Sequence, residues 1–241
     1  MVWGNKPSDG GNLLLSTSES SHAISREPFI SKFIFDFVGS QELVKGIVRN
    51  CIWIEDSDIE EAKRSRFIAE RIKAVRTMRL ASKAASTQAY ANKAHRFRQI
   101  QGRSTSHSIV VPKVTSETRP YLPVGLLTAR SIISDNAFAL YDAPLWNMAL
   151  IASRLHLVWI ATVCGKLETR YRYSNTLGWN TFPVPTLTEK NKADLTSCSE
   201  DILLAREAHF PATIADLYKP ETMPDNLRAA HQRNDEVLER I

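Results

Sequence analysis

Residues 131–164 run Ser131-Ile132-Ile133-Ser134-Asp135-Asn136-Ala137-Phe138-Ala139-Leu140-Tyr141-Asp142-Ala143-Pro144-Leu145-Trp146-Asn147-Met148-Ala149-Leu150-Ile151-Ala152-Ser153-Arg154-Leu155-His156-Leu157-Val158-Trp159-Ile160-Ala161-Thr162-Val163-Cys164. Residues 131–133 and 137–141 are short β-branched or aromatic runs between turn residues, which predicts two strands. Trp146 to Cys164 is apolar on most faces, which predicts one central, buried helix ended by Gly165. Arg154 on that helix must be paired or reach solvent. Strands feeding a buried helix, with more helices after them, give an α+β fold.

On the N-terminal side, Ser108–Val111 and Tyr121–Leu127 read as further strands. Leu13–Leu15 and Cys51–Ile54 read the same way. Gly4 to Asn12 is a run of turn formers, and Ser16–Ser21 is expected to be a serine-rich loop. Asp58 starts a helix, with Glu60 and Glu61 favourably placed in its first turn. Ile68, Ile72, Val75 and Met78 carry its apolar face, and it fades between Lys83 and Ala94. On the C-terminal side, Lys166–Tyr173 is an alternating strand and Asn175–Pro185 a loop. Thr186-Leu187-Thr188-Glu189 is a capping-box pattern. Leu195 and Ile202–Leu204 mark the helix behind it, and Pro224-Asp225 opens a last helix running through Arg240. A boundary near Pro185 divides residues 1–185 from a helical region, 186–241.

The chain has 241 residues, 43% hydrophobic and 24% charged, which excludes a fully disordered or fibrous chain. Its longest apolar stretch is broken by Arg154 and His156, so no membrane span is expected. No secretion signal is visible, and three scattered cysteines fit reduced thiols of a cytoplasmic protein. The net charge of +5 hides an asymmetry. Between Ala62 and Arg103 stand twelve Lys or Arg and one acid, Glu70. Such a segment on an otherwise mildly acidic chain points to a polyanion. Lys63, Arg71, Lys73, Arg76, Arg79, Lys83, Arg96 and Arg98 are its candidate phosphate ligands.

Glu168-Thr169-Arg170-Tyr171-Arg172-Tyr173 carries the most specific chemistry. In an extended strand Glu168, Arg170 and Arg172 share one face. Three unpaired charges cannot be buried, so that face meets water, other charges or a polar ligand. A carboxylate accepts from cytosine N4 and a guanidinium donates twice to guanine O6 and N7, so Glu168 and Arg170 could read one C·G pair. An exposed strand with cross-strand salt bridges is the alternative. The glycine-rich opening lacks the order of a nucleotide cradle, although its backbone N–H groups could touch a phosphate. His95, His107 and His156 show no metal spacing. No catalytic motif is found: there is no Asn/Asp/Ser-Pro-Pro-Tyr/Phe base grip, no glycine-rich S-adenosylmethionine motif and no nuclease cluster ending in Glu-x-Lys.

Met1-Val2-Trp3-Gly4-Asn5-Lys6-Pro7-Ser8-Asp9-Gly10-Gly11-Asn12-Leu13-Leu14-Leu15 resembles the segment that follows the catalytic domain in type IIL (MmeI-like) DNA adenine methyltransferases. Phe37–Glu42, Cys51–Ile54, Arg96-Phe97, Val158-Trp159, Val163–Leu167, Tyr171–Ser174 and Asn180–Pro185 resemble that family in the same order. The resemblance implies an α+β DNA target-recognition domain in 1–185, followed by the start of a C-terminal helical region. It implies base reading by Glu168, Arg170 and Arg172, with Asn136 from the segment 134–137. It implies double-stranded DNA as partner, together with a methyltransferase catalytic domain, fused or separate, that uses S-adenosylmethionine. That domain is expected to be missing here, making this a fragment inactive alone, with neither cofactor nor metal of its own. A non-enzymatic RNA-binding or assembly protein using the basic segment 62–103 is the alternative.

Overall fold

A computed structural model describes residues 1–241. In chain order the elements are β1 (Val2–Trp3), β2 (Leu14–Ser16), α1 (Thr17–Arg26), β3 (Ile34–Val38), α2 (Ser40–Lys45), β4 (Arg49–Ile52), α3 (Ile59–Ala62), α4 (Arg66–Leu80) and α5 (Ala85–Gln88). There follow β5 (His107–Pro112), β6 (Val114–Thr115), β7 (Gly125–Thr128), β8 (Ser131–Ile133), β9 (Ala137–Tyr141), α6 (Trp146–Ile151), α7 (Arg154–Val163), β10 (Lys166–Leu167), β11 (Arg170–Arg172), α8 (Glu189–Glu207), α9 (Ile214–Leu217) and α10 (Asp225–Glu239). The fold is α+β, as the sequence predicts.

Three small sheets hold it together, in the orders β2-β4-β3-β8, β1-β9-β5-β7 and β10-β11-β6. All pairings are antiparallel except β3 with β8. Since β8 and β9 are joined only by the turn 134–136, that turn sits where the two larger sheets meet. One core lies between β2-β4-β3 and α4, built from Leu13, Phe33, Ile52, Ile68 and Val75, with Phe97 wedged edge-on between Phe37 and Trp53. The second joins Ile109, Val111, Leu122 and Phe138 to Met148, Ile160, Ile202 and Leu227. This core crosses position 185, since Ile202 of α8 and Leu227 of α10 belong to it, and a smaller cluster of Ala149, Leu150, Leu195 and Leu238 joins the same helices to α6.

Four expectations need correction. The apolar run 146–164 is two helices, not one. α6 ends at Ile151, and Ser153 caps α7 by accepting the His156 backbone N–H at 3.1 Å, which outweighs the continuous apolar pattern. Only α6 is buried along its length; Leu155 and Val158 of α7 are exposed. The serine-rich stretch is helix α1. Its Ser16 and Glu19 form a reciprocal capping box, so serines that read as a loop mark a helix start. The basic helix is likewise interrupted: α3 stops at Ala62, and Ser65, buried, caps α4 through the Ile68 N–H at 3.2 Å. At the C-terminal end the capping box is Thr188 with Asn191, two residues beyond the one expected.

Candidate nucleic-acid interface

The stretch 166–172 is a hairpin rather than a single strand, since Lys166 pairs with Tyr171 and Leu167 with Arg170. Glu168 lies in its turn, in the left-handed region at φ 59°. It therefore does not stand in strand register with Arg170 and Arg172. It reaches the same side differently, by accepting a 2.6 Å hydrogen bond from Arg170 Nη2. Arg170 and Arg172 do share one face of β11, and both are exposed. The intervening face is anchored: Tyr173 is buried and its hydroxyl shares a 2.9 Å hydrogen bond with His156 Nε2.

β11 also pairs with β6, which sets Arg172 opposite Val114, next to Lys113. The Ser40 hydroxyl then links two segments, accepting the Lys113 backbone N–H at 3.1 Å and donating to the Asn136 carbonyl. Lys113 donates from its amine to the Asp135 carbonyl and lies 3.4 Å over the Trp3 ring. Burial pulls this ammonium down to about 8; Asp135 opposes the shift, while Lys6 and Arg172 add to it. Strand pairing and hydrogen bonds thus connect exposed Asn136, half-exposed Asp135 and Lys113, and Arg172 on the hairpin. The sequence reading singled out Arg172 and, within the segment 134–137 that also holds Asp135, Asn136; it did not single out Lys113. A lone lysine directly after the buried run Ile109–Pro112 was the available signal for Lys113.

Under this surface lies the N-terminal segment. Asn5 is fully buried, and its amide oxygen accepts from the Gln101 and Gly102 N–H groups at 2.8 and 3.3 Å. Its amide nitrogen donates to Gly102 O, Ile133 O and the Tyr141 hydroxyl. The Asp135 N–H donates to Asn5 O at 3.0 Å. Gly4 passes so close that an added Cβ would stand 2.7 Å from Ile133 O and nearer still to Ser134 O. The opening turn formers are thus the platform of the 134–136 turn.

The basic segment divides into spent and free cations. Arg79 is a correction: it is fully buried and its guanidinium donates to the carbonyls of Pro7, Ser8, Tyr90, Lys93 and Arg96 at 2.8–3.3 Å, so no phosphate can reach it. Arg71 binds Asn12 O and Glu19, Arg96 binds Glu55 and Asp56, and Lys63 binds Glu60. Lys73, Arg76 and Lys83 are exposed and have no acidic partner within 4.0 Å, and neither does half-buried Arg98. Arg98 and Arg96 line a cleft of ≈ 660 Å³ together with Trp3, Lys6, Tyr90 and Asp135. The cleft therefore opens beside the 134–136 turn.

The histidines are dispersed: His95 meets Asp56, His107 meets Ala143 O, and His156 is buried. No three His, Cys, Asp or Glu side chains converge as metal ligands. No helix is long and apolar enough to cross a membrane.

A family model described as MmeI, target recognition domain, matches residues 1–186, and one described as MmeI, C-terminal domain, matches 187–241. Over 238 residues the chain is 38% identical to DNA methyltransferase A of Bacillus subtilis (strain 168), covering 99% of this chain and 27% of that protein. The solved structure of the type IIL restriction-modification enzyme MmeI in complex with DNA matches all of this chain with a TM-score of 0.93 and 33% identity, and the match covers 32% of that chain. The chain therefore spans about a third or less of the relatives it matches. It belongs to the MmeI family, carrying the family's target recognition domain in residues 1–186 and its C-terminal domain from 187 onward.

Proposed function

We propose that this chain reads double-stranded DNA sequence for an adenine-specific DNA methyltransferase of a restriction-modification system in the cytoplasm. One observation carries the reading: the surface from the 168–172 hairpin through Lys113 to Asp135 and Asn136, which sets donors and acceptors side by side. Arg170 and Arg172 present the guanidinium forks that match guanine, and Glu168 and Asp135 present acceptors for cytosine N4. Asn136 can give and take a hydrogen bond, as adenine requires. Exposed Lys73, Arg76 and Lys83, with Arg98, supply the sequence-independent phosphate contacts. Methyl transfer and S-adenosylmethionine belong, on this reading, to a catalytic domain fused to this chain or bound by it. No observation favours the RNA-binding alternative.

The test is selection of bound duplexes from a randomised pool by the 241-residue chain, followed by sequencing. Enrichment of one motif is expected. Binding without enrichment, or a preference for structured RNA in competition, contradicts the proposal.

A further inference from the structure

The cleft lined by Trp3, Lys6, Tyr90, Arg96, Arg98 and Asp135 lies outside the base-reading surface but shares Asp135 with it. Its cations are unequally satisfied. Arg96 is neutralised by Glu55 and Asp56, although its Nε, like that of Arg98, is buried without an acceptor. Lys6, half exposed, meets Asp135 only at 3.6 Å. Arg98 donates from Nη2 to the Ser86 hydroxyl at 2.8 Å, and its Nε is buried without an acceptor. Arg98 has no acidic partner within 4.0 Å, and an oxyanion is the group that matches an unneutralised guanidinium.

The walls are joined to each other by backbone hydrogen bonds. Lys6 N–H donates to Gln99 O at 2.9 Å, Gln99 N–H returns the bond to Lys6 O at 3.0 Å, and Arg98 N–H donates to Pro7 O at 3.1 Å. Asn5, satisfied at both ends of its amide, fixes this ladder to the strand that carries the 134–136 turn. A group held here is thus held in register with Asp135 and Asn136.

Resting on the DNA reading above, we infer that the cleft is a phosphate seat. Lys6 and Arg98 bind a backbone phosphate of the strand that lies against the 134–136 turn. Lys6 brings a mobile point charge and Arg98 a guanidinium fork without an acidic partner. This contact sets the register in which the neighbouring side chains meet base edges.

The experiment measures binding of a labelled random-sequence duplex across a range of KCl concentrations. The Lys6→Gln/Arg98→Gln variant is expected to flatten the log–log slope by about 1 to 2. A control that removes the same charge from α8, Lys190→Gln/Lys192→Gln, is expected to keep the wild-type slope. The single variant Arg98→Lys, which keeps the charge, is expected to retain the slope and separates charge from folding damage. An unchanged slope in the double cleft variant, or equal flattening in the α8 control, overturns the assignment. A cleft variant that keeps its DNA slope but loses a rise in melting temperature with inorganic phosphate assigns the seat to free phosphate and also overturns it. Failure of the wild-type chain to bind any duplex overturns the DNA reading, and the cleft assignment with it.

Discussion

Arg170 Nη2 donates to Glu168 Oε2 across 2.6 Å, so the two residues proposed to read opposite halves of one base pair neutralise each other at the hairpin tip. Both are well exposed, with 45% and 76% of their side-chain surfaces open to solvent. A water-screened pair of this kind contributes about 0–1 kcal/mol to stability. Glu168→Ala should therefore leave urea-unfolding stability within about 0.5 kcal/mol of wild type. Arg170→Ala should cost about 1–3 kcal/mol against the selected duplex and relax a single base position. A stability loss well above 1 kcal/mol with unchanged base preference would make the pair structural.

Arg79 and Arg76 are three residues apart on α4 and should behave oppositely. Arg79→Met strips a shared donor from five carbonyls, and buried orphaned acceptors cost about 1–3 kcal/mol each before relaxation. A loss of at least about 3 kcal/mol in chemical unfolding is expected. Arg76→Met should be within about 0.5 kcal/mol of wild type and should weaken all duplexes alike.

Gly4→Ala puts a methyl group against the Ser134 and Ile133 carbonyl oxygens. The backbone must shift, at a cost of about 1–3 kcal/mol, and the 134–136 turn shifts with it. Sequence preference should fall more than affinity for random duplex, a comparison read directly from competition binding. Equal losses in both would show that the platform does not set the turn.

Stability should fall with pH on the acid side of neutrality. Burial lowers His156 to about 4, and burial also holds His231 well below the usual histidine range. Both are neutral when folded, so the unfolded chain binds more protons between about pH 6.5 and 4. Their contribution is complete above pH ~6.5 and is lost as pH drops toward 4, by up to about 3 kcal/mol for His156. Asp142 and Asp216, both held low by hydrogen bonds, add their loss only below about pH 4. Urea unfolding at several pH values should show this slope, and His156→Asn should reduce it.

How much of this was legible in the sequence varies with the physics involved. The strands 131–133 and 137–141 and the helix after Pro224 follow from local pattern and punctuation, and they stand where expected. Ser153 was hidden because a helix cap inside an apolar run leaves periodicity almost intact. The turn at Glu168 was hidden because a left-handed glutamate carries none of the glycine or asparagine signal of a turn. Arg79 could not be told from its basic neighbours, since its five carbonyl partners come from two segments, 7–8 and 90–96, that only the fold brings around it. Lys113 and Asp135 meet only through tertiary contacts, across a separation of 22 residues.

The central claim, that hairpin side chains choose bases, is tested most directly by exchanging their chemistry. Glu168→Lys with Arg170→Asp keeps one donor and one acceptor but reverses their order along the hairpin. Both positions are exposed, and lysine replaces a glutamate that already stands in the left-handed region, so the exchange adds little backbone cost and the fold should survive. Wild type and double variant are each given the same randomised duplex pool, and bound sequences are read. The account predicts one motif position changing from C·G to G·C with the others little altered. Selection of the original motif by the folded double variant would contradict it.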